Sequence, residues 1–346
     1  MKAAYLVGQN QIEVRDLTDP AVPDDGLVIK VEACGVCGGD VRRWKEGESQ
    51  GARDVVLGHE VTGIVVAVGQ DTVGYKPGDR LAIAPDIHCG ACYFCKRGLY
   101  NLCDALKLIG ISPEYPGGYA EKLVLTGQVL QHGIIHPIPE SLSFTEAALS
   151  EPLSSVLATH EKVGTSIGDT VVIMGAGPMG CLLTRIAKVR GAKVIVSEPV
   201  ENRRQMVQPF GSDILVDPFN QDLNEVVREA TDGVGADIVI CANPVAATQA
   251  QAVEIVRKAG QVVLFGGLSK SDPLTTVDAN KIHYGEVQFV GSFSYHPTFH
   301  QLALQVLNQG WIPVEKVITH TFPLDDINQA FQVAARGEAI KAIIEP

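Results

Sequence analysis

Thr170-Val-Val-Ile-Met-Gly-Ala-Gly-Pro-Met-Gly180 is the stretch that decides the fold. Five apolar strand-like residues lead directly into a turn with Gly175, Gly177 and Gly180, and a helical pattern follows. In such a turn the glycines permit a tight bend and a close approach of a pyrophosphate, while the helix N-terminus faces the phosphates. A lone GxGxxG is weak evidence, but between a strand and a helix it predicts a dinucleotide-binding unit.

The next strand-like run, Lys193 to Ser197, ends at Glu198, eighteen residues beyond Gly180. A carboxylate there accepts hydrogen bonds from the adenosine ribose hydroxyls and repels a 2′-phosphate, which predicts NAD over NADP. Arg203 leaves NADP open, although it can also stack on adenine or pair with Glu198. The interpretation without a cofactor is a glycine-rich turn beside a surface glutamate.

Strand-like runs alternate with helical runs, such as 179–190 and 246–258, from about residue 170 to 290, which predicts a parallel sheet with helices on both faces. Up to about residue 150 the chain reads instead as short strands with many turns. After Gly291 it holds one helical segment, 300–308, and a final strand. We therefore expect the β-rich first half and the tail to form one domain, with the α/β unit inserted between them.

Composition excludes several classes of protein. The 346 residues suggest about two domains, and 28 Lys and Arg against 40 Asp and Glu leave a net charge of −12. That charge disfavours nucleic acid and anionic lipid as partners. The N-terminus does not resemble a secretory signal, and the longest apolar stretch contains several glycines and Arg185, so we expect a cytoplasmic protein without a membrane span.

Four of the eight cysteines, Cys89, Cys92, Cys95 and Cys103, fall within fifteen residues. Four thiolates at this spacing can surround one tetrahedral Zn²⁺ with no open position, which predicts a structural zinc lobe over 89–103 in a reducing compartment. The alternatives are four free thiols in a loop or a nucleic-acid-binding zinc ribbon. A ribbon that binds nucleic acid needs a basic surface, and only Lys96 and Arg97 add positive charge nearby, which disfavours this alternative.

A second metal site is suggested by residues that are far apart in sequence: Cys37, His59, Glu60 and Glu151. A thiolate, an imidazole and a carboxylate with one open position would form a catalytic zinc site. Spacing alone does not show that these side chains meet, and a lone Cys or His is more often structural. The residues by themselves leave this site open.

Three features together resemble the zinc-dependent medium-chain dehydrogenases of the alcohol dehydrogenase superfamily. They are Gly58-His59-Glu60, the four-cysteine lobe and GxGxxG, in that order and at similar separations. The resemblance covers essentially the whole chain. Glu151-Pro-Leu153 and Gly291-Ser-Phe-Ser-Tyr295 look most like the sorbitol (polyol) dehydrogenase branch.

This resemblance implies the architecture of the protein. A discontinuous GroES-like catalytic domain comprises residues 1–152 and 291–346, and a Rossmann dinucleotide-binding domain comprises 153–290. Nicotinamide and zinc are expected in the cleft between the domains. Family members form dimers and tetramers, so a homodimer or homotetramer is expected, with two Zn²⁺ per chain and NAD.

The resemblance also assigns roles to single residues. Cys37, His59 and Glu151 match the catalytic zinc positions, and Glu60 is either a ligand in exchange with water or a carboxylate behind the ligands. The turn over 175–180 contributes to a cofactor site whose matching residues are Gly175, Gly177, Pro178, Met179, Gly180, Glu198, Arg203 and Phe293. Trp44 and Tyr295 fall where such enzymes line the substrate pocket; the alternative is that both are ordinary core aromatics.

The implied activity is hydride transfer between a nicotinamide and a secondary alcohol of a polyol, sugar or cyclitol. Alternatives are a sugar-phosphate (galactitol-phosphate-type) or threonine-type dehydrogenase, or a non-enzymatic NAD-binding structural or regulatory protein. Gly39 and Arg42 replace the residues of the usual proton relay, and Ser294 replaces an arginine common in polyol dehydrogenases. Arg42 and Arg43 are either a solvated pair or an attraction for an anionic substrate.

Overall fold

The computed structural model describes residues 1–47 and 54–346. This part of the chain divides into two compact units. One combines Met1–Ser154 with Tyr295–Pro346, and the other is Ser155–Ser294. We call them the first unit and the second unit. The first is discontinuous in sequence, and the second is the segment that separates its two parts.

Up to residue 154, the first unit consists mainly of short strands joined by turns. Its strands are β1 (Lys2–Gly8), β2 (Gln11–Asp16), β3 (Leu27–Gly35), β4 (Val55–Val56), β5 (Glu60–Val68), β6 (Arg80–Ala84), β7 (Asp86–Ile87), β8 (Lys107–Leu108), β9 (Lys122–Leu125) and β10 (Ile134–Pro137). Its helices are α1 (Gly38–Glu46), α2 (Gly127–His132), α3 (Phe144–Ala147) and the start of α4 (Ser150–Lys162).

In the second unit, strands and helices alternate. Its elements are β11 (Thr170–Met174), α5 (Pro178–Val189), β12 (Lys193–Ser197), α6 (Glu201–Val207), β13 (Ile214–Val216), α7 (Leu223–Ala230), β14 (Ala236–Cys241), α8 (Ala246–Ile255), β15 (Val256–Leu264), α9 (Ala279–Gly285) and β16 (Gln288–Gly291). The strands form one parallel sheet in the order β13-β12-β11-β14-β15-β16. The predicted α/β class with a doubly wound sheet is therefore confirmed.

The tail returns to the first unit. It contains α10 (Pro297–Asn308), α11 (Val314–Val317), β17 (Ile318–Pro323), α12 (Ile327–Arg336) and β18 (Lys341–Glu345). These strands complete a sheet in the order β10-β6-β5-β3-β18-β17, with β9 also paired to β3. Because β18 runs antiparallel to β3, with Ile343 opposite Gly35, the last strand lies beside the strand that leads to Cys37.

Two element boundaries differ from the prediction. The helix expected over 246–258 ends at Ile255, and Val256 already pairs with Ala236 as the first residue of β15. Pairing of β15 with β14 therefore replaces the last predicted turn of this helix. The helix expected at 300–308 begins three residues earlier, at Pro297, because His296 caps it and proline suits a first helical position. No described helix is long and apolar enough to cross a lipid bilayer.

His160 of α4 is a buried histidine whose two ring nitrogens are both satisfied. Its Nε2 lies 3.0 Å from the carbonyl oxygen of Leu183, and its Nδ1 lies 2.9 Å from Oγ1 of Thr165. A carbonyl only accepts, so Nε2 carries the hydrogen and the Thr165 hydroxyl donates to Nδ1. Burial lowers the pKa of His160 to about 4. The ring is therefore neutral near pH 7.

This histidine should make stability depend on pH. The unfolded chain takes up its proton near pH 6.5 and the folded chain only near pH 4, so the free energy of unfolding falls as the pH drops through that window. We expect a contribution of about 2 kcal/mol between pH 7 and pH 5. Urea unfolding at both pH values should show a smaller loss in His160→Gln than in the wild type. Equal losses in the two proteins would contradict the prediction.

Candidate metal and cofactor sites

The sulfur atoms of the four-cysteine lobe are spaced as zinc requires. The Sγ atoms of Cys92 and Cys95 are 3.5 Å apart, and the Cys89–Cys95 and Cys92–Cys103 pairs are 3.9 Å apart. Four Zn–S bonds of about 2.3 Å in a tetrahedron put the sulfurs about 3.8 Å from one another. A disulfide would need a separation of about 2.05 Å. None of the eight cysteines, all of which lie in the described residues, forms a disulfide.

Backbone amides around this lobe favour thiolates. The N–H groups of Ala91 and Cys92 donate to Cys89 Sγ, and that of Cys95 donates to Cys92 Sγ. These contacts follow from tight turns, of which one requires the positive φ of 71° at Gly90. The N–H groups of Cys95 and Asp104 lower the pKa of Cys92 to about 6. The lobe therefore fits a closed zinc site with no position for substrate.

A second cluster lies in the first unit. Ligand atoms of Cys37, His59 and Glu60 all fall within 4.8 Å of one another. Cys37 caps α1 two residues after the end of β3, and His59 immediately precedes Glu60, the first residue of β5. The register of β3 and β5 puts Gly35 opposite Glu60, so the pairing of these two strands brings the three side chains together. The structure thus unites three of the four residues named from sequence.

Asp40 is a member of this site that sequence reasoning missed. Its Oδ1 lies 3.3 Å from His59 Nδ1, and its Oδ2 accepts a hydrogen bond from the Tyr119 hydroxyl at 2.9 Å. A carboxylate on one imidazole nitrogen fixes the ring and leaves the other, Nε2, for a metal ion. Asp40 also closes the capping box of α1 that begins at Cys37, and this local signal could have identified it.

The electrostatics of the cluster favour a cation. Burial lowers the pKa of His59, but Asp40 and the Cys37 sulfur outweigh this effect and hold that pKa well above its usual value. A buried pocket that stabilises positive charge on an imidazole also stabilises a metal ion with soft and borderline ligands. The donor set therefore fits Zn²⁺.

Lys341 is the second residue that the sequence reasoning missed. Its Nζ lies 2.6 and 2.7 Å from the two carboxylate oxygens of Glu60, and both side chains are at most 3% exposed. Gly35 leaves room for this pair, since a Cβ there would lie 1.9 Å from Glu60 Oε2. Lys341 is a single lysine in the otherwise buried apolar start of β18, and that was the available signal. Lys341 thus pairs with both oxygens of Glu60, and the choice between Glu60 and Glu151 as the carboxylate ligand stays a prediction.

Glu151 lies in the first turn of α4 and is held by Tyr295, whose hydroxyl donates to its Oε1 at 2.9 Å. Burial raises the pKa of Glu151 to about 7. Tyr295 is itself buried and contacts a candidate ligand. Trp44, also expected to line the substrate pocket, lies instead in the core of the first unit, with its ring centroid 5.8 Å from that of Phe331.

The turn between β11 and α5 has the properties that a pyrophosphate needs. Gly175 adopts a φ of 112°, and a Cβ at Gly180 would lie 2.0 Å from the Gly175 carbonyl oxygen. Nothing lies within 4 Å of a Cβ built at Gly177, and no side chain caps the N-terminus of α5. Pro178 and Met179, both partly buried, form the first turn of this helix. The open cradle and the uncapped helix fit a dinucleotide.

Glu198 is buried at the end of β12, next to that turn. Its two carboxylate oxygens accept from the backbone N–H groups of Ala176 at 2.8 Å and Val200 at 3.0 Å. A carboxylate has further lone pairs for ribose hydroxyls. The neighbouring Arg204 pairs with Asp217. Two further residues were predicted from sequence to bind the cofactor. Arg203 is partly buried, and Phe293, which follows β16, is exposed.

Zinc content tests the two metal sites separately. We expect two zinc ions per chain in protein purified with zinc, since one site is closed and the other is mixed. Cys95→Ser should lose one ion and lower the unfolding temperature by roughly 5 °C or more. His59→Ala should lose the other ion with a smaller change in stability. Metal analysis measures both, with Cys241→Ala as a cysteine control that keeps two. One zinc per wild-type chain would contradict the assignment.

Comparisons with known proteins match both halves of the chain. The family model of the alcohol dehydrogenase GroES-like domain matches residues 23–140, and that of the zinc-binding dehydrogenases matches 178–309. D-arabitol-phosphate dehydrogenase of Enterococcus avium is 34% identical over 98% of this chain and 95% of its own. Sorbitol dehydrogenase of Halalkalibacterium halodurans is 32% identical over 98% of this chain and 97% of its own.

Among solved structures, a zinc-binding dehydrogenase of Sinorhizobium meliloti bound to NADP superimposes with a TM-score of 0.90. It is 31% identical to this chain and covers all of it, with 99% of its own chain matched. The match to both family models, and the near-complete coverage by relatives more than 30% identical, confirm the resemblance seen in the motifs. The chain belongs to the zinc-dependent medium-chain dehydrogenases of the alcohol dehydrogenase superfamily, in the branch that resembles sorbitol dehydrogenase.

Proposed function

We propose that this protein is a zinc- and NAD-dependent dehydrogenase that interconverts a secondary alcohol of a polyol, sugar or cyclitol and the corresponding ketone. The observation that carries the proposal is the buried Cys37–His59–Glu60 cluster, in which Asp40 and Lys341 hold two of the side chains. A non-enzymatic NAD-binding protein would not require a cluster of metal-binding side chains held in this way. The first unit would supply the reacting metal, and the second unit the cofactor site.

Cys37, His59 and Glu151 would hold the zinc ion. When bound, zinc lowers the pKa of an alcohol and so assists hydride transfer to the nicotinamide. The chain contributes position: Asp40 orients His59, the Tyr295 hydroxyl holds Glu151, and Lys341 keeps Glu60 behind the ligands. Gly39 adds no hydroxyl to a proton relay and Arg42 adds no imidazole, so the proton leaves by another route.

The named relatives support the substrate class. One acts on D-arabitol phosphate and another on sorbitol. The carbon skeletons of both substrates carry several hydroxyl groups. We expect the substrate of this protein to be a small molecule of that kind, which favours the polyol reading over a threonine-type dehydrogenase.

The preference for NAD is supported by Glu198. Its carboxylate is buried at the end of β12, and its hydrogen bonds to Ala176 and Val200 hold it beside the glycine turn. A 2′-phosphate there would meet a negative charge. Since the Sinorhizobium relative is bound to NADP, membership of the family does not decide the cofactor, and this carboxylate is the reason for the proposal.

We also propose a cytoplasmic homodimer or homotetramer. Eight free thiols suit a reducing compartment. The edge strand β16 is largely exposed, and its Phe289 is 38% exposed. An open strand edge with an apolar side chain is a surface on which a second copy can add a strand.

A substrate screen tests the activity. We expect NAD⁺ reduction with at least one secondary alcohol in a panel of polyols, sugars, cyclitols, their phosphates and hydroxy amino acids. His59→Ala should lower kcat/KM by about 10³-fold or more, because the ring that holds the metal is lost. The matched control His320→Ala changes a partly buried histidine of β17 and should retain the wild-type rate. NAD⁺ binding without turnover of any alcohol would support the non-enzymatic alternative.

Cofactor preference has its own test, the ratio of kcat/KM for NAD⁺ to that for NADP⁺. We expect the wild type to favour NAD⁺, and Glu198→Ala to narrow the ratio by about tenfold or more, because the repelling carboxylate is gone. Glu201→Ala is the matched control on the neighbouring helix α6, where the glutamate is exposed. A wild type that prefers NADP⁺ would mean that Arg203 decides the cofactor.

A further inference from the structure

Arg43 is the partly buried cation of α1, between the exposed Arg42 and Lys45. Its Nη1 donates to the carbonyl oxygen of Ile111 at 3.0 Å. Among the residues that the structure describes, no carboxylate forms an ion pair with it. A guanidinium has five N–H donors, so most of its donors are unused by the protein. A partly desolvated cation in this state favours an anionic ligand.

Asp40 on α1 and Glu114 on the loop of Ile111 have other partners. Glu114, on the same loop as Ile111, pairs with Lys107. Asp40 contacts His59 and accepts from Tyr119. Burial lowers the pKa of Arg43 and Asp40 opposes that shift, but the guanidinium stays charged throughout the working range.

Two connections place Arg43 beside the candidate zinc site within the first unit. Along α1 it is six residues after the cap residue Cys37, a rise of about 9 Å. Through the loop it is bound to Ile111, whose neighbour Gly110 packs so closely on Gly58 that a Cβ would lie 2.4 Å from the Gly58 carbonyl oxygen. Gly58 directly precedes His59. The loop that Arg43 binds thus packs on the residue that precedes His59.

We propose that Arg43 binds the phosphate group of a phosphorylated polyol whose hydroxyl reacts at the candidate zinc site. This inference rests on the proposed function and narrows its substrate class. Guanidinium and phosphate match in charge and in paired hydrogen bonds. Arg42, exposed and adjacent, adds a second positive charge that suits a dianion better than a singly charged carboxylate.

A structural role at the helix end does not account for Arg43. Basic side chains in a last turn stabilise a helix by facing its carbonyl groups or solvent. Lys45 lies in the same turn but is exposed, and its Nζ lies 3.4 Å from the Ala335 carbonyl oxygen of α12. Arg43 is partly buried and reaches the loop of Ile111, whose neighbour Gly110 packs on Gly58. Lys45 is therefore the matched control for Arg43.

Matched substrates test the proposal. The kcat/KM of a polyol, its terminal phosphate and the corresponding sugar acid are compared in the wild type, Arg43→Gln, Arg43→Lys and Lys45→Gln. We expect the wild type to favour the phosphate about tenfold or more, mainly through KM. Arg43→Gln should lower that preference by about 10- to 100-fold, Arg43→Lys should keep part of it, and Lys45→Gln all of it.

A binding measurement separates this inference from the activity. Inorganic phosphate is added at constant ionic strength, with saturating NAD⁺ so that the glycine turn of the second unit is occupied. We expect phosphate to raise the unfolding temperature of the wild type and Lys45→Gln but not of Arg43→Gln, and to compete with the alcohol.

The outcomes are distinct. Oxidation of free polyols without a preference for their phosphates would overturn the role of Arg43 and leave the proposed function standing. A preference for the sugar acid, or equal effects of Arg43→Gln and Lys45→Gln, would overturn it as well. If no alcohol is oxidised, the proposed function fails. The shift in unfolding temperature that phosphate causes, compared between Arg43→Gln and the wild type, still decides whether Arg43 binds phosphate.

Discussion

The buried ion pair between Lys341 and Glu60 joins the two ends of the first unit. The two residues are separated by 281 positions in sequence, and both are almost completely shielded from water. A buried charge without its partner costs several kcal/mol, so the last strand and the start of β5 are held to one register. The pairing of β18 with β3 follows the same register. The positions of the candidate metal ligands thus depend on β18, the last strand in the sequence.

The two metal sites differ in how the fold makes them. The four-cysteine lobe is a local structure, in which backbone amides of a fifteen-residue segment already point at the sulfurs. The second cluster is assembled by strand pairing, since β3 and β5 bring Cys37 to His59 and Glu60. A closed local site suits stability, and an assembled site with an open position suits chemistry. Asp40, Tyr295 and Lys341 then supply the orientation that the ligands themselves lack.

Sequence patterns anticipated much of this structure. The strand over 170–174 and the glycine turn were predicted at their observed positions, because an apolar run followed by GxGxxG has few other solutions. The end of α8 was predicted wrongly, because Val256 pairs with β14 and does not continue the helix. Trp44 was expected near substrate but packs on Phe331, and nothing local in the sequence distinguishes a pocket aromatic from a core aromatic.

The sequence by itself determined the features whose parts lie close together along the chain. These are the parallel βαβ unit, the cofactor turn and the four-cysteine lobe, where short spacing and turn residues set the geometry. Only the tertiary structure decided which distant side chains meet: the contact of Asp40 with His59, the Lys341–Glu60 pair and the bond of Arg43 to the Ile111 carbonyl. The physical reason is that strand register and burial, which no short segment encodes, choose the partners of polar groups separated by long stretches of chain.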